Sequence, residues 1–155
     1  MKNKEEVFIT NNAGETRNLG EEFAKNLEER EIIALFGDLG GGKTTFVQGL
    51  ALGLGIKRRI ISPTFIIVRS YELESKNTHG QSPRTFYHLD LYRTEKIEDV
   101  RSLGLDEIME NNNIVVIEWA EKMKDLLPAK RTDILFKYLT ESKREIKIIK
   151  YGIQN

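Results

Sequence analysis

Three observations predict an α/β fold, a single compact domain whose mixed, mainly parallel central sheet is flanked by helices. The apolar run Ile32 to Phe36 leads directly into a glycine-rich loop and then into an apolar series at helical spacing. Strand-like and helix-like segments alternate on either side of that unit, the pattern of a layered α/β domain. Two hairpins interrupt the alternation, so the sheet is mixed rather than wholly parallel. The 155 residues suit one domain spanning 1–155, and a domain of that size buries about two thirds of its unfolded surface.

The elements follow in order. Val7, Phe8 and Ile9 read as a short edge strand, and Leu19, Phe23 and Leu27, four apart, as a helix that Gly20 weakens slightly. Ile32 to Phe36 reads as a buried strand. Phe46, Val47, Leu50, Ala51 and Leu54 recur at helical spacing, and Gly53 and Gly55 suit that helix's end. Phe65 to Val68, continuing to Tyr71, reads as a strand; the polar stretch Glu74 to Pro83 closes a hairpin, and Arg84 to Leu91 returns. Leu103 to Met109 reads as a short helix, Ile114 to Ile117 as a buried strand, and Glu121 to Leu127 as a helix stopped by Pro128. Ile134 to Leu139 and Glu145 to Tyr151 close the chain as two strands.

Gly37 to Thr44 reads G-D-L-G-G-G-K-T, a complete phosphate-binding loop of the form G-x-x-x-x-G-K-[ST]. Its glycines let successive backbone N–H groups turn inward, where a Cβ would obstruct a phosphate. The helix it opens adds the positive end of its dipole. Lys43 is placed to reach the β and γ phosphates, and Thr44 to give its hydroxyl to Mg²⁺. A P-loop nucleotide-binding fold follows.

Such a site needs acids at strand ends to hold the metal and place the attacking water. Glu118 follows Ile114 to Ile117 as a Walker B acid would, with glutamate in place of the usual aspartate. In Phe86 to Asp90, period-two alternation puts Phe86, His88 and Asp90 on one face. Each of these polar residues also has a plain structural reading, which for the two acids is a helix cap or an arginine partner. Thr64, in Ser62-Pro63-Thr64-Phe65, is either a γ-phosphate-sensing threonine in a switch segment or part of a turn into a strand. Trp119 is either core or a lid over the nucleotide. Lys57, Arg58 and Arg59 are either a solvated loop or a phosphate or partner contact.

Composition narrows the setting. Lys plus Arg and Asp plus Glu number 24 each, so no global field draws the protein onto nucleic acid or an anionic membrane. There is no cysteine, the segment Met1 to Glu6 is charged, and no apolar run approaches the roughly 20 residues that span a bilayer. A soluble, cytoplasmic protein is expected.

Four motifs occur together: Gly-Asp-Leu-Gly-Gly-Gly-Lys-Thr-Thr-Phe at 37 to 46, Ser-Pro-Thr-Phe at 62 to 65, His-Leu-Asp-Leu-Tyr-Arg at 88 to 93, and Glu-Trp-Ala-Glu at 118 to 121. In this order and spacing the chain resembles the bacterial TsaE family, also called YjeE, from about Glu15 onward. The resemblance implies a P-loop ATPase that acts while bound to the TsaD and TsaB proteins, which transfer threonylcarbamoyl to the tRNA adenosine next to the anticodon. The tRNA would be met only through that complex. The resemblance further implies that ATP contacts Asp38, Gly40, Gly41, Gly42, Lys43, Thr44 and Thr45, with Thr64 and Trp119 nearby. Thr44 and Glu118 would hold Mg²⁺; Lys43, Asp90 and Glu118 would serve catalysis, Asp90 as the acid that assists hydrolysis. Gly41 replaces a common alanine, Ala120 a frequent proline, and the Glu74 to Pro83 segment is longer than usual; none removes a chemical group.

What is missing agrees with adenine as the base. N-K-x-D is absent, and the only early D-x-x-G, Asp38 to Gly41, lies inside the loop. No tight arginine cluster marks the lid of a small-molecule kinase, the second enzyme reading; a third is a non-hydrolytic module whose bound nucleotide controls assembly. Hydrolysis is expected to be slow alone and faster with the partners, with Arg93 the best internal source of stabilising charge.

Overall fold

The computed structural model describes residues 2–38, 40–60, 68–74 and 84–153. In chain order its elements are β1 (Lys2–Thr10), α1 (Ala13–Ala24), β2 (Glu31–Phe36), α2 (Lys43–Gly53), β3 (Val68–Glu72), β4 (Thr85–Asp90), α3 (Ile97–Arg101), α4 (Leu105–Glu110), β5 (Ile114–Glu118), a 3-10 helix (Ala120–Leu126), β6 (Arg131–Tyr138) and β7 (Arg144–Ile153). The strands form one sheet in the order β1-β7-β6-β2-β5-β4-β3. Its four central strands, β6, β2, β5 and β4, run parallel. The β1–β7, β6–β7 and β3–β4 pairs are antiparallel.

Alternation along the central strands divides the core in two. Ile33 and Leu35 of β2, with Ile114 and Val116 of β5, face a layer that includes Phe46, Val47 and Leu50 of α2. Ile32, Ala34, Val115 and Ile117 face the opposite layer, built on Val100, Leu105, Met109 and Met123. Because both faces are covered, these strands read as unbroken apolar runs.

Asn12 caps α1, its side chain accepting from the Glu15 N–H at 2.9 Å. The Glu15 carboxylate answers by accepting from the Asn11 backbone at 3.2 Å. The helix lies unusually close to α2. A Cβ on Gly20 would come 2.2 Å from the Phe46 carbonyl oxygen, and one on Gly49 1.8 Å from that of Arg17. The glycine that costs α1 helix propensity is what lets the two backbones meet.

Several boundaries differ from expectation. β1 runs from Lys2, because pairing with β7 extends well beyond its apolar part. α1 ends at Ala24, leaving Leu27 packed on the core from the connection that follows. α3 carries too few apolar positions to show periodicity and was not expected. The 120s form a kinked 3-10 helix rather than an α-helix, with Met123 off helical geometry. Both hairpin pairings form; the 75–83 connection and most of the Phe65 to Val68 run lie outside the described residues.

Candidate nucleotide site

β2, β4 and β5 are adjacent and parallel, so their carboxyl ends open at one edge of the sheet, the usual place for a ligand in an α/β fold. Register sets Asp90 directly opposite Glu118 and Leu35 opposite Glu118 on the other side. Thus the phosphate loop, which leaves the end of β2, passes beside both acids.

The loop needs glycine for backbone reasons. Gly40 and Gly42 have φ of 78° and 99°, and Gly42 caps α2 in that left-handed conformation. No side chain caps the first turn of α2, which leaves its N–H groups directed at whatever occupies the loop.

Lys43 is almost fully buried. Its Nζ donates to the carbonyl oxygens of Gly37 at 2.5 Å and Asp38 at 2.8 Å and lies 4.1 Å from the centre of the Trp119 ring. Burial lowers its pKa, while Glu118, Glu121, Asp38 and Asp90 pull it back up. Carbonyls, a ring face and surrounding acids thus compensate a desolvated ammonium, the environment an anionic phosphate would improve.

The Thr44 hydroxyl donates to Glu118 Oε1 at 2.9 Å. His88 Nε2 bonds Glu118 Oε2 at 2.5 Å, with both side chains buried. Asp90 Oδ1 accepts from the Tyr92 N–H at 3.0 Å, holding the turn after β4. Trp119, at φ 60° the only non-glycine residue with positive φ among the described residues, ends β5 and turns its ring to Tyr92, centroids 5.1 Å apart. The Lys122 ammonium donates to the carbonyls of Tyr92 and Thr94, tying the 3-10 helix to the same turn.

Thr44 and Glu118 offer hard oxygen donors side by side. Among the described residues no group of three or more His, Cys, Asp or Glu forms a metal cage. That donor set fits Mg²⁺, which keeps its waters and phosphate oxygens and takes only one or two protein ligands.

A cleft of about 550 Å³ brings these groups together. It runs from Asn12, Ala13 and Thr16, over Gly40 to Thr45, to Asp90, Arg93, Glu118 and Trp119. The expected contacts therefore converge, Asp38 through its backbone carbonyl to Lys43. Thr64 lies outside the described residues. His88 stands against Glu118, whereas Lys57, Arg58 and Arg59 are exposed, Arg58 resting over Tyr71.

Sequence reasoning missed four contributors. Arg144 at the start of β7 donates to the Gly40 carbonyl at 3.0 and 3.2 Å, a contact between residues 104 apart with no local signal. Asn12 and Thr16 line the far end of the cleft because α1 packs on α2. Glu121, which accepts from the Gly37 N–H at 3.4 Å, was visible as the last residue of Glu-Trp-Ala-Glu.

Comparison with known proteins identifies the family. The protein-family model described as threonylcarbamoyl adenosine biosynthesis protein TsaE matches residues 10–146. A relative from Treponema pallidum, named tRNA threonylcarbamoyladenosine biosynthesis protein TsaE, is 37% identical over 140 residues, covering 90% of this chain and 97% of that protein. The protein of the same name from Bacillus subtilis is 37% identical over 149 residues, covering 96% and 88%. The crystal structure of Bacillus subtilis YdiB superposes with a TM-score of 0.77 at 30% identity, covering 98% of this chain and 89% of that one.

Proposed function

Since the chain belongs to the TsaE family of tRNA threonylcarbamoyladenosine biosynthesis proteins, we propose that it is a Mg²⁺-dependent ATPase that supports threonylcarbamoyl transfer to tRNA in a cytoplasmic complex with TsaD and TsaB. The observation that carries this reading is the Thr44 to Glu118 hydrogen bond of 2.9 Å, which joins the phosphate loop to the end of β5. It pairs the hydroxyl and the acid that a P-loop ATPase needs on its metal.

In this reading Lys43 exchanges the carbonyls of Gly37 and Asp38 for the β and γ phosphates, which add counter-charge directly at its buried ammonium. The N–H groups of Gly40 to Thr45 hold the remaining phosphate oxygens. Thr44 and Glu118 hold the metal, directly or through water. Bound Mg²⁺ would neutralise charge on the β and γ oxygens during transfer. Asp90, beside Glu118, positions the attacking water. The Asn12 to Thr16 end of the cleft, walled by α1, gives room for the nucleoside. With balanced charge and no basic field, the chain meets tRNA through its partners rather than by itself.

Variants separate binding from hydrolysis. Lys43→Ala is expected to weaken binding of a fluorescent ATP analogue by at least about tenfold. Asp90→Asn and Glu118→Gln should keep most binding while lowering turnover by roughly 10²-fold or more. Wild-type turnover in both acid variants would contradict the assignment and favour a nucleotide that only controls assembly.

A further inference from the structure

The acid at the end of β5 is a glutamate, and its carboxylate has one more methylene and one more torsion to fix than the aspartate usual at that place. Both its oxygens are engaged. Oε1 accepts from Thr44 at 2.9 Å and Oε2 is bonded by His88 Nε2 at 2.5 Å. His88 is fully buried in the middle of β4, two residues before Asp90 on the same face and opposite Val116 in register. A carboxylate oxygen accepts, so Nε2 carries the proton. The other ring nitrogen, Nδ1, has no hydrogen-bond partner among the described residues. Among the described residues the ring's one hydrogen-bond partner is therefore the carboxylate.

We propose that His88 is a positioning residue for the metal site: it clamps the long Glu118 side chain so that Oε1 stays on Thr44, where the two would hold a metal. The role rests on the Mg²⁺-ATP reading above. A histidine that merely filled the core would support the fold without regard to Mg²⁺. A clamp instead acts through its donor, as partners behind metal ligands generally do.

Side-chain length gives the discriminating variants. The amide nitrogen of Gln lies near the position of Nε2, whereas that of Asn lies nearer Nδ1 and falls short of Glu118. Leu keeps the bulk and has no donor. The experiment measures affinity for a fluorescent ATP analogue in excess Mg²⁺ and in EDTA, alongside thermal unfolding. Wild type should bind more tightly in Mg²⁺. His88→Leu and His88→Asn should lose about tenfold of that Mg²⁺-dependent gain while His88→Gln recovers most of it, with binding in EDTA unchanged in all three.

In a Glu118→Asp background the shorter acid cannot reach both partners. There His88→Leu should add little further loss. If His88→Leu is too unstable to assay, the contrast between Gln and Asn carries the test. An unchanged Mg²⁺ gain in the Leu or Asn variant, or equal weakening in Mg²⁺ and EDTA, overturns the clamp while leaving the ATPase reading intact. No Mg²⁺ effect in the wild type overturns both.

Discussion

Replacing Gly49 by alanine tests whether backbone contact between α1 and α2 sets the position of the phosphate loop. The added Cβ would lie 1.8 Å from the Arg17 carbonyl oxygen, 2.7 Å from its carbonyl carbon and 3.0 Å from its Cα, where ordinary contact begins at 3.4 Å. All three atoms are backbone, so no side chain can swing aside and the helices must part. Overpacking costs about 1–3 kcal/mol, and a clash this deep against backbone belongs at the top of that range. Alanine's better helix propensity returns about 1 kcal/mol. The net loss is about 2 kcal/mol, which in a domain of this size lowers Tm by roughly 4–8 °C. Because α2 begins at Lys43 and Thr44, nucleotide binding should weaken as well. Gly14→Ala is the control, since its Cβ would meet only the Asn12 side chain, at 3.2 Å. Denaturant and thermal unfolding read the stability. A Gly49→Ala protein as stable as wild type or more so would refute the close approach, because an exposed helical glycine gains from the same change.

Two further outcomes follow from single residues. Gly42 holds φ at 99°, so Gly42→Ala should cost about 1–2 kcal/mol and weaken nucleotide binding. Gly41 has no positive φ, though a Cβ there would lie 3.0 Å from the Asp38 carbonyl oxygen, so Gly41→Ala should cost less than Gly42→Ala in both measurements; equal damage at both positions would contradict the loop geometry. Burial raises the pKa of the Glu31 carboxyl, against a lowering bond from the Glu28 N–H. The folded protein therefore keeps that proton to higher pH than the unfolded chain does, and the stability it contributes in acid is lost as pH rises through the raised value. Glu31→Gln should accordingly raise Tm near about pH 8 with the difference shrinking toward about pH 4, and a difference independent of pH would argue against a partly desolvated charge.

Local chemistry makes much of the site legible in the sequence. The strand into the loop, the loop glycines and the helix behind them are contiguous, so spacing alone places Lys43 and Thr44. Period two in β4 puts His88 and Asp90 on one face, and parallel pairing with β5 then brings both beside Glu118. What the sequence withholds depends on packing between distant segments. Arg144 reaches Gly40 only because the β6–β7 hairpin turns beside the loop. Asn12 and Thr16 join the cleft only because glycines bring α1 against α2. The 3-10 geometry after Trp119 has no periodic signature, since seven residues with a kink at Met123 present no repeating face.

ATP turnover of the purified chain, alone and with the TsaD and TsaB pair, tests the account most directly. The predicted result is slow Mg²⁺-dependent hydrolysis alone and a rise of roughly tenfold or more with the pair, up to the roughly 10³ to 10⁵ that an arginine supplied in trans can contribute, with both rates lowered roughly 10²-fold or more by Glu118→Gln. Equal rates with and without the pair, or wild-type turnover in Glu118→Gln, would contradict it.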